Sequence, residues 1–564
     1  MSDQTTTKDR VDGKDKVSGK AKYAADHRIS NVAYGVFVGS TIAKGEMASL
    51  DVSQALASPG VLDVIYYKNC PALPGYQVSS TSSEPNREWP GHKVLYDNKV
   101  RYYGQPIALV VANTFEDALQ AVRRVKATYK EEPFETDFHS ARLRPELLKP
   151  MDTYLRGRAA AYAAAPVKVE AEYTLPIEVH SPMEMHATLA IWEGEDQLTV
   201  YDKSQGPSDT QNALASLFGI SPEKVRVVVE YVGGAYGNAL RSWANVPAAC
   251  MAAKKLKRPV KVVLNRPQMF YMVGYRPQSW QRIGIGADLS GKLVGISHAA
   301  ISNTSRYEEF TEGITNVSQF LYACPNVDTD YKLLPLDLST PIWMRGPGEA
   351  SGCFGLESAL DELSYQLKMD PIDLRLANFT EINPQSQLPW SAIHLKECYA
   401  KCKELIGWQE RKSAPRMNRQ GDWWIGYGMA VGVFGAWKGE ATVKATLYAD
   451  GRLVLGTAVS DMGPGTATTQ VIIAADALQM PSEKITFQLG DTRSLPPGIM
   501  QGGSGTTSTV GSAVFLACRQ LKAQLCEWAK QFHPPFRSVP VTELNVRQEH
   551  VELKSNPAEK ISIP

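Results

Sequence analysis

The sequence predicts an α+β protein in which a small N-terminal domain precedes two larger, related halves. Its length of 564 residues is too great for one hydrophobic core, so several domains are expected. Short β-type runs alternate with amphipathic helical stretches, and one order of elements recurs near the C-terminus. We expect the N-terminal domain at residues 10–135, the first half at 150–390 and the second half at 415–564.

The N-terminal domain is predicted from β-type runs that follow a polar leader of about 20 residues. These runs are AYGVFVGS and VLDVIYY, followed by YYGQPIALVVANTFEDALQAVRRVKATYKEEPFE, which has the pattern of a buried strand, a helix and another strand. A connector rich in alanine and proline, at residues 142–166, then leads to the first half.

The two halves are predicted from a repeated pattern. Residues 197–234 and 452–492 each contain a strand, a Gly-Pro turn, an amphipathic helix, a SPEK or PSEK cap and a second strand. We interpret them as related halves that face one another, with their glycine turns meeting where they join. The alternative is that two α+β units merely look alike.

Four glycine-rich turns are the most informative local motifs. They are VGGAYG at Val232–Gly237, MRGPGEASG at Met344–Gly352, DMGPGT at Asp461–Thr466 and QGGSGTT at Gln501–Thr507. None has the lysine of a Walker loop or the GxGxxG spacing of a Rossmann turn. They indicate backbone that closely approaches a large anionic cofactor.

Composition excludes several classes of function. Lys and Arg total 60 against 59 for Asp and Glu, so the charge balance argues against nucleic-acid binding. The N-terminus is polar and no run reaches the roughly 18 apolar residues of a membrane span, so we expect a cytoplasmic protein with no membrane partner. The eight cysteines form no CxxC motif, and Cys398 and Cys402 are interpreted as helical thiols, so no protein-ligated metal is predicted.

Six blocks in order resemble the molybdenum-binding large subunit of the xanthine dehydrogenase/aldehyde oxidase family. They are IAKGEMASLDVSQALASPGVLDVI, YYGQPIALVVANTFEDALQAV, MEMHATLAIW, VGGAYG, MRGPGEASGCFGLESALDELSYQLKMDPIDLRLANF and LGDTRSLPPGIMQGGSGTTSTVGSA. The similarity is greatest to bacterial three-subunit aldehyde dehydrogenases, in which separate chains carry the molybdenum cofactor, FAD and two [2Fe-2S] clusters. It implies an α/β hammerhead-type domain followed by two molybdopterin-binding halves. Periplasmic export with a signal-bearing partner subunit is a second possibility for the compartment.

The resemblance also implies the cofactor and its contacts. The cofactor would be molybdopterin, in bacteria usually the cytosine dinucleotide form, with no metal ligand from the protein. Its expected contacts are Glu178, Gly233, Gly234, Tyr236, Gly237, Gly463, Gly465, Ser504, Thr506 and Thr507. The alternative for residues 506–509 is a polar loop that caps a helix at Val510.

Arg345 is the candidate catalytic residue, because it matches an active-site arginine of the family and lies where a strand gives way to a glycine turn. It would orient a polar substrate or stabilise negative charge on the substrate heteroatom. Glu349 is interpreted as a helix cap or a partner of Arg345, and Glu184 and His186 as structural. Glu178 stands where the family has a glutamine, and it must be protonated to donate a hydrogen bond.

Other positions depart from the family pattern. Ala235, Tyr236, Asn238 and Pro464 replace family residues, and no glutamate after the QGGSGTT turn lies in the GxGE-type context of the family's general base. The chain is therefore expected to be C-terminally truncated, with an incomplete second half. One reading is the catalytic subunit of an enzyme that hydroxylates aldehydes or related N-heterocycles at carbon with water and passes electrons to [2Fe-2S] and FAD subunits. The other reading is a catalytically inactive or incomplete cofactor-binding remnant.

Overall fold

A computed structural model describes residues 9–76, 93–547 and 550–563. The chain forms two compact units, and each is discontinuous in sequence. Unit 1 comprises Met1–Pro133, His180–Gly274 and Gly435–Pro564, and unit 2 comprises Phe134–Val179 and Tyr275–Phe434. Each unit therefore draws on more than one of the predicted sequence segments.

The elements mix helices and strands throughout, as the α+β prediction requires. The helices are α1 Gly13–Val17, α2 Ser53–Leu56, α3 Phe115–Val122, α4 Phe138–Ala141, α5 Pro207–Phe218, α6 Asn245–Leu256, α7 Asn316–Phe320, α8 Glu349–Leu367, α9 Pro371–Ala377, α10 Leu395–Leu405, α11 Thr466–Leu478 and α12 Thr506–Phe532. The strands are β1 Ala33–Gly39, β2 Gly45–Asp51, β3 Val61–Tyr66, β4 Lys99–Val100, β5 Pro106–Ala112, β6 Lys126–Glu131, β7 Lys149–Arg156, β8 Val167–Leu175, β9 Ala187–Glu193, β10 Gln197–Asp202, β11 Val225–Val228, β12 Val260–Val263, β13 Ser279–Ala287, β14 Leu293–Ser305, β15 Val327–Leu336, β16 Arg419–Gln420, β17 Trp423–Trp424, β18 Lys444–Leu447, β19 Leu453–Gly456, β20 Ile485–Gln488, β21 Leu544–Arg547, β22 His550–Leu553 and β23 Asn556–Ser562.

Unit 1 is built on a seven-stranded sheet in the order β11-β10-β9-β12-β1-β5-β3. Strand β5 is buried at every position, as its unbroken apolar sequence predicts. Strand β1 pairs with β5 on one side and with β12 on the other. Strands of the N-terminal segment and of the first half thus belong to one sheet.

The predicted repeat is confirmed within unit 1. Strand β10 leads through α5 to β11, which lies parallel beside it, and β19 leads through α11 to β20 in the same way. Helices α11 and α12 pack together against β19 and β20 around Val471, Ala475, Val510 and Val514. Near their N-terminal ends the helices are in contact, because Gln470 and Ile473 of α11 lie beside Gly511 of α12. Closer to their C-terminal ends, Leu478 of α11 and Leu521 of α12 line one cavity. The two helices therefore run parallel and start at the same end.

Unit 2 is built on a five-stranded sheet in the order β7-β15-β14-β13-β8. Helix α8 lies on this sheet, and its apolar side joins β13, α7 and α9 in one buried cluster. Within that core the Arg375 guanidinium donates to Glu357 Oε2 at 2.8 Å. The same oxygen accepts the Val431 N–H at 3.0 Å, which attaches the segment after β17 to α8. No helix in the described ranges is long and apolar enough to cross a membrane.

Candidate functional site

The two repeats of unit 1 meet where β11 and β20 end. We call this contact the seam, formed by residues 226–232 against 460–461 and 490–492. The Val229 N–H donates to Gly490 O at 2.8 Å, and Arg226 makes two hydrogen bonds to Asp491, at 3.0 and 2.6 Å. Gly490 has φ of +70°, and a Cβ there would lie 2.0 Å from Val229 O. The seam therefore requires glycine at this position.

The Val232–Gly237 turn follows the seam and is held from below by two side chains. The Gly233 N–H donates to Glu184 Oε2 at 2.7 Å, and the Glu184 N–H donates to Gly233 O at 3.1 Å. The Gly237 N–H donates to Gln205 Oε1 at 3.2 Å. Gly234, Tyr236 and Gly237 all have positive φ, and the Tyr236 side chain is about half exposed. Two of the amides expected to face a ligand thus donate to the protein itself.

Buried ionisable groups lie beneath this turn. Burial raises the pKa of Glu184 and lowers the pKa of His186 well below its usual value. Lys203, whose ammonium donates to Glu184 O at 2.5 Å, has its pKa lowered to about 8 by burial. Burial also raises the pKa of Asp202 to about 7. Glu184 supports the turn through hydrogen bonds, in keeping with its predicted structural role.

The Asp461–Thr466 turn is organised around one carboxylate. Asp461 is fully buried, and its Oδ1 accepts the N–H groups of Gly463 at 2.9 Å and Gly465 at 3.2 Å. Its Oδ2 accepts from Arg10 at 3.0 Å and from Lys16 at 3.1 Å. The segment expected to be a polar leader is therefore folded onto this turn.

The Gln501–Thr507 turn leads directly into α12. Gln501 Oε1 accepts the N–H and the hydroxyl of Ser460, both at 2.7 Å, which fixes the turn against the seam. Ser504 has φ of +55°, and Ser504 and Thr507 are exposed. The helix begins at Thr506 after Gly505, with no acidic residue in its first turn. The alternative of a polar loop capping a helix at Val510 is therefore wrong.

Several buried polar atoms in unit 1 have no hydrogen-bond partner in the part of the chain that the structure describes. They include Gln501 Nε2, Asn245 Oδ1 and both Gln470 side-chain atoms. Gln470 is completely buried near the start of α11, and its Oε1 lies 3.6 Å from the position of a Cβ on Gly511. Buried polar groups are rarely left unsatisfied, so these atoms can form hydrogen bonds with a molecule bound at the turns.

The fourth glycine turn, with Arg345 and Glu178, belongs to unit 2, where Arg276 is the central residue. The buried Arg276 guanidinium donates to Glu178 Oε2 at 2.8 Å, to Glu312 Oε1 and to Arg345 O at 2.8 Å. Glu312 Oε1 also accepts the Gly348 N–H at 3.0 Å, immediately before α8. Glu178 therefore accepts a hydrogen bond from the Arg276 guanidinium and pairs with its charge. The neutral glutamine expected at this position from the family would not form this ion pair.

Arg345 itself is exposed, and its guanidinium has no hydrogen bond or ion pair with any residue that the structure describes. Its five N–H donors are free for an acceptor from outside the chain. Glu349, in the first turn of α8, is half-buried and has no ion pair with Arg345 within the described ranges. Burial raises the pKa of Glu349.

Sequence reasoning missed the residues that support the turns. Arg276 and Glu312 lie in loops and Gln470 lies in a helix, and no local sequence pattern distinguishes them. Asp12 and Lys16 did offer a signal, because opposite charges four residues apart favour a helical turn.

Comparison with known proteins identifies the family. Residues 144–379 and 401–562 match models described as molybdopterin cofactor-binding domains, and residues 18–133 match the aldehyde oxidase and xanthine dehydrogenase a/b hammerhead domain. The aldehyde oxidoreductase molybdenum-binding subunit PaoC of Escherichia coli K12 is 35% identical over 523 residues, covering 92% of this chain and 69% of that protein. The putative xanthine dehydrogenase molybdenum-binding subunit XdhA of the same strain is 26% identical, covering 87% and 68%.

Solved structures share the fold. Quinoline 2-oxidoreductase from Pseudomonas putida 86 superposes with a TM-score of 0.84 at 20% identity, over 99% of this chain and 75% of that one. The aldehyde oxidoreductase of Desulfovibrio gigas gives 0.77 at 23% identity, over 92% and 60%. The chain belongs to the molybdenum-binding subunits of the xanthine dehydrogenase/aldehyde oxidase family, a family of enzymes. The predicted resemblance and the order of a hammerhead domain before two molybdopterin-binding domains are confirmed.

Proposed function

We propose that this chain binds molybdopterin cytosine dinucleotide and hydroxylates aldehydes, or related N-heterocycles, at carbon with water. The electrons would pass to partner subunits that carry [2Fe-2S] clusters and FAD. One observation carries the proposal: three glycine turns, Val232–Gly237, Asp461–Thr466 and Gln501–Thr507, lie together at the seam of unit 1. The N-terminal ends of α11 and α12 lie beside them. The preference for aldehydes rests on the 35% identity to the aldehyde oxidoreductase subunit of E. coli.

The residues of unit 1 fit such a cofactor. Gln470 and Gln501 offer buried side-chain atoms without partners in the described structure, which suits the hydrogen-bonding edges of a pterin. Helix α12 follows a glycine and has no acidic residue in its first turn, whereas the Gly465 N–H just before α11 already donates to the buried Asp461. A helix start like that of α12 attracts phosphate groups through its free N–H groups and the helix dipole.

Within this proposal the expected contacts of unit 1 have three different roles. Tyr236, Ser504, Thr506 and Thr507 would contact the cofactor directly, because their side chains are not fully buried. Gly233, Gly237, Gly463 and Gly465 would shape the turns, because their N–H groups donate to protein acceptors. Gly234, at φ of +91°, would allow close approach of the backbone.

The bound molybdenum centre would supply the two-electron oxidation chemistry. Arg345 would orient the substrate by donating hydrogen bonds to its heteroatom, and would stabilise negative charge there. Glu178 would act as a hydrogen-bond acceptor, because its Oε2 is already oriented by Arg276 at 2.8 Å.

The test is co-expression of the chain with its iron-sulfur and FAD subunits. Purified complex should contain about one molybdenum per chain, should release cytidine monophosphate on acid hydrolysis, and should reduce a dye with an aromatic aldehyde. A complex without molybdenum would overturn the proposal. Molybdenum without turnover of aldehydes or N-heterocycles would replace it with a cofactor-binding role that lacks catalysis.

A further inference from the structure

The N-terminal segment Arg10–Val17 lies directly on the Asp461–Thr466 turn. Helix α1 is only five residues long, and none of its residues is buried, so it does not dock through an apolar face. Its attachment is polar. Arg10 Nη1 donates to Gly463 O at 2.9 Å, and the Val11 N–H donates to Thr468 Oγ1 at 3.1 Å, near the start of α11.

Two carboxylates and two cations form the centre of this contact. Arg10 makes two hydrogen bonds to Asp12, both at 3.1 Å, and one to Asp461 at 3.0 Å. Lys16 pairs with Asp12 at 2.5 Å and with Asp461 at 3.1 Å. The side chain of Asp461 is fully buried and that of Asp12 is 3% exposed, so the cations compensate carboxylates that water does not reach.

Asp461 connects this cluster to the seam. Its N–H donates to Glu230 O and its carbonyl accepts the Val232 N–H, both at 2.8 Å. Its side chain accepts the Gly463 and Gly465 N–H groups. Both glycines have positive φ, at +121° and +92°. Without a restraint, glycine backbone can adopt many other conformations. One buried carboxylate thus joins the segment, the seam and the turn.

We propose that the segment Arg10–Lys16 is a clamp that holds the Asp461–Thr466 turn in the shape required for cofactor retention. Arg10 and Lys16 are positioning residues, because they act through Asp461 and Gly463. The link to the cofactor rests on the proposed function, whereas the restraint of the turn does not.

The test compares Arg10→Ala and Lys16→Ala with Lys14→Ala in the co-expressed complex. Lys14 is a matched control, because it is an exposed lysine of the same segment and has no side-chain partner in the described structure. Hydrogen exchange followed by mass spectrometry should show peptides spanning residues 459–468 exchanging about tenfold faster in Arg10→Ala and Lys16→Ala. Peptides of α12 should exchange as in the wild type, which would show that the fold is intact.

Equal exchange at residues 459–468 in Arg10→Ala and Lys14→Ala would overturn the clamp. Molybdenum content should fall in Arg10→Ala and remain at the wild-type level in Lys14→Ala. Faster exchange with full molybdenum content would overturn the role in cofactor retention. If the wild-type complex holds no molybdenum, the proposed function fails, and the exchange measurement still decides whether the clamp restrains the turn. Asp461→Asn, which keeps the acceptor oxygen but removes the charge, should also speed exchange at the turn.

Discussion

Helices α8 and α12 both begin after a glycine turn, but the protein's own carboxylates surround the start of α8. Glu349 lies in the first turn of α8, and Glu312 accepts the N–H of Gly348 just before it. The first turn of α12 contains no acidic residue and leaves Thr507 exposed. The start of α8 therefore has two carboxylates of the protein beside it, one of them paired with Arg276, whereas the first turn of α12 has none.

This difference separates two uses of the same local motif. A helix start carries partial positive charge and free N–H groups, and a nearby carboxylate satisfies both. Just before α8, the Gly348 N–H is satisfied in this way by Glu312. The first turn of α12 has no such carboxylate, so we propose that this helix start binds the phosphates of the cofactor. Glycine turns alone do not distinguish these cases.

The largest expected effect concerns the carboxylates near α8. Arg276→Ala should lower the free energy of unfolding by about 3–5 kcal/mol, because it leaves the buried Glu312 carboxylate without its cation. Arg345→Ala is the control, and it should change stability by less than about 0.5 kcal/mol, because that side chain is exposed and unpaired in the described structure. Thermal unfolding followed by circular dichroism compares the two. Similar melting temperatures would show that Glu312 does not depend on Arg276.

The next effect concerns glycines of the seam and of its adjoining turn. Gly490→Ala should cost about 3 kcal/mol, because a left-handed backbone and a collision with Val229 O act together. Gly463→Ala should cost only about 1 kcal/mol, because no atom lies within 4 Å of the new Cβ and backbone strain acts alone. Denaturant unfolding of both variants measures the difference. Equal costs would contradict the close contact between the repeats.

A smaller effect is the pH dependence of the seam. Burial raises the pKa of Asp491, but the hydrogen bonds and charge of Arg226, together with hydrogen bonds from Arg493 and Ser494, hold the pKa below its ordinary 3.8. The ion pair therefore stabilises the fold above about pH 4, and this stabilisation is lost as the pH falls through the lowered pKa. Arg226→Gln should lower the melting temperature by a few degrees at pH 7. The difference from wild type should shrink below pH 4, and a difference that is constant with pH would exclude the ion pair as its cause.

The sequence predicted the elements and their repetition better than it predicted contacts. The buried strand β5, the helices α5 and α11 and the strands on either side of these helices followed from periodicity and from the SPEK and PSEK caps. These features are local, or they repeat at a fixed spacing. The fold class was predictable for the same reason.

The support of the candidate site was not predictable from local pattern. The hydrogen bonds from Arg10 to Asp461 and from Gln205 to Gln501 join residues hundreds of positions apart. The sequence also did not show which acceptor the backbone N–H groups of the turns bind. The Gly463 N–H donates to Asp461, although the turn motif indicated exposure to a ligand. Such choices depend on which side chains the fold brings near.

The most direct test of the account places a carboxylate at the start of α12, as the protein itself does at α8. Thr507→Glu should leave stability unchanged or raise it by up to about 1 kcal/mol, because a negative charge favours a helix start. It should also lower molybdenum and cytidine nucleotide per chain about tenfold, because the carboxylate repels an anionic cofactor. Thr507→Gln, which is similar in size but uncharged, should retain both at the wild-type level. Full cofactor content in a folded Thr507→Glu complex would contradict the assignment of this helix start to the phosphates.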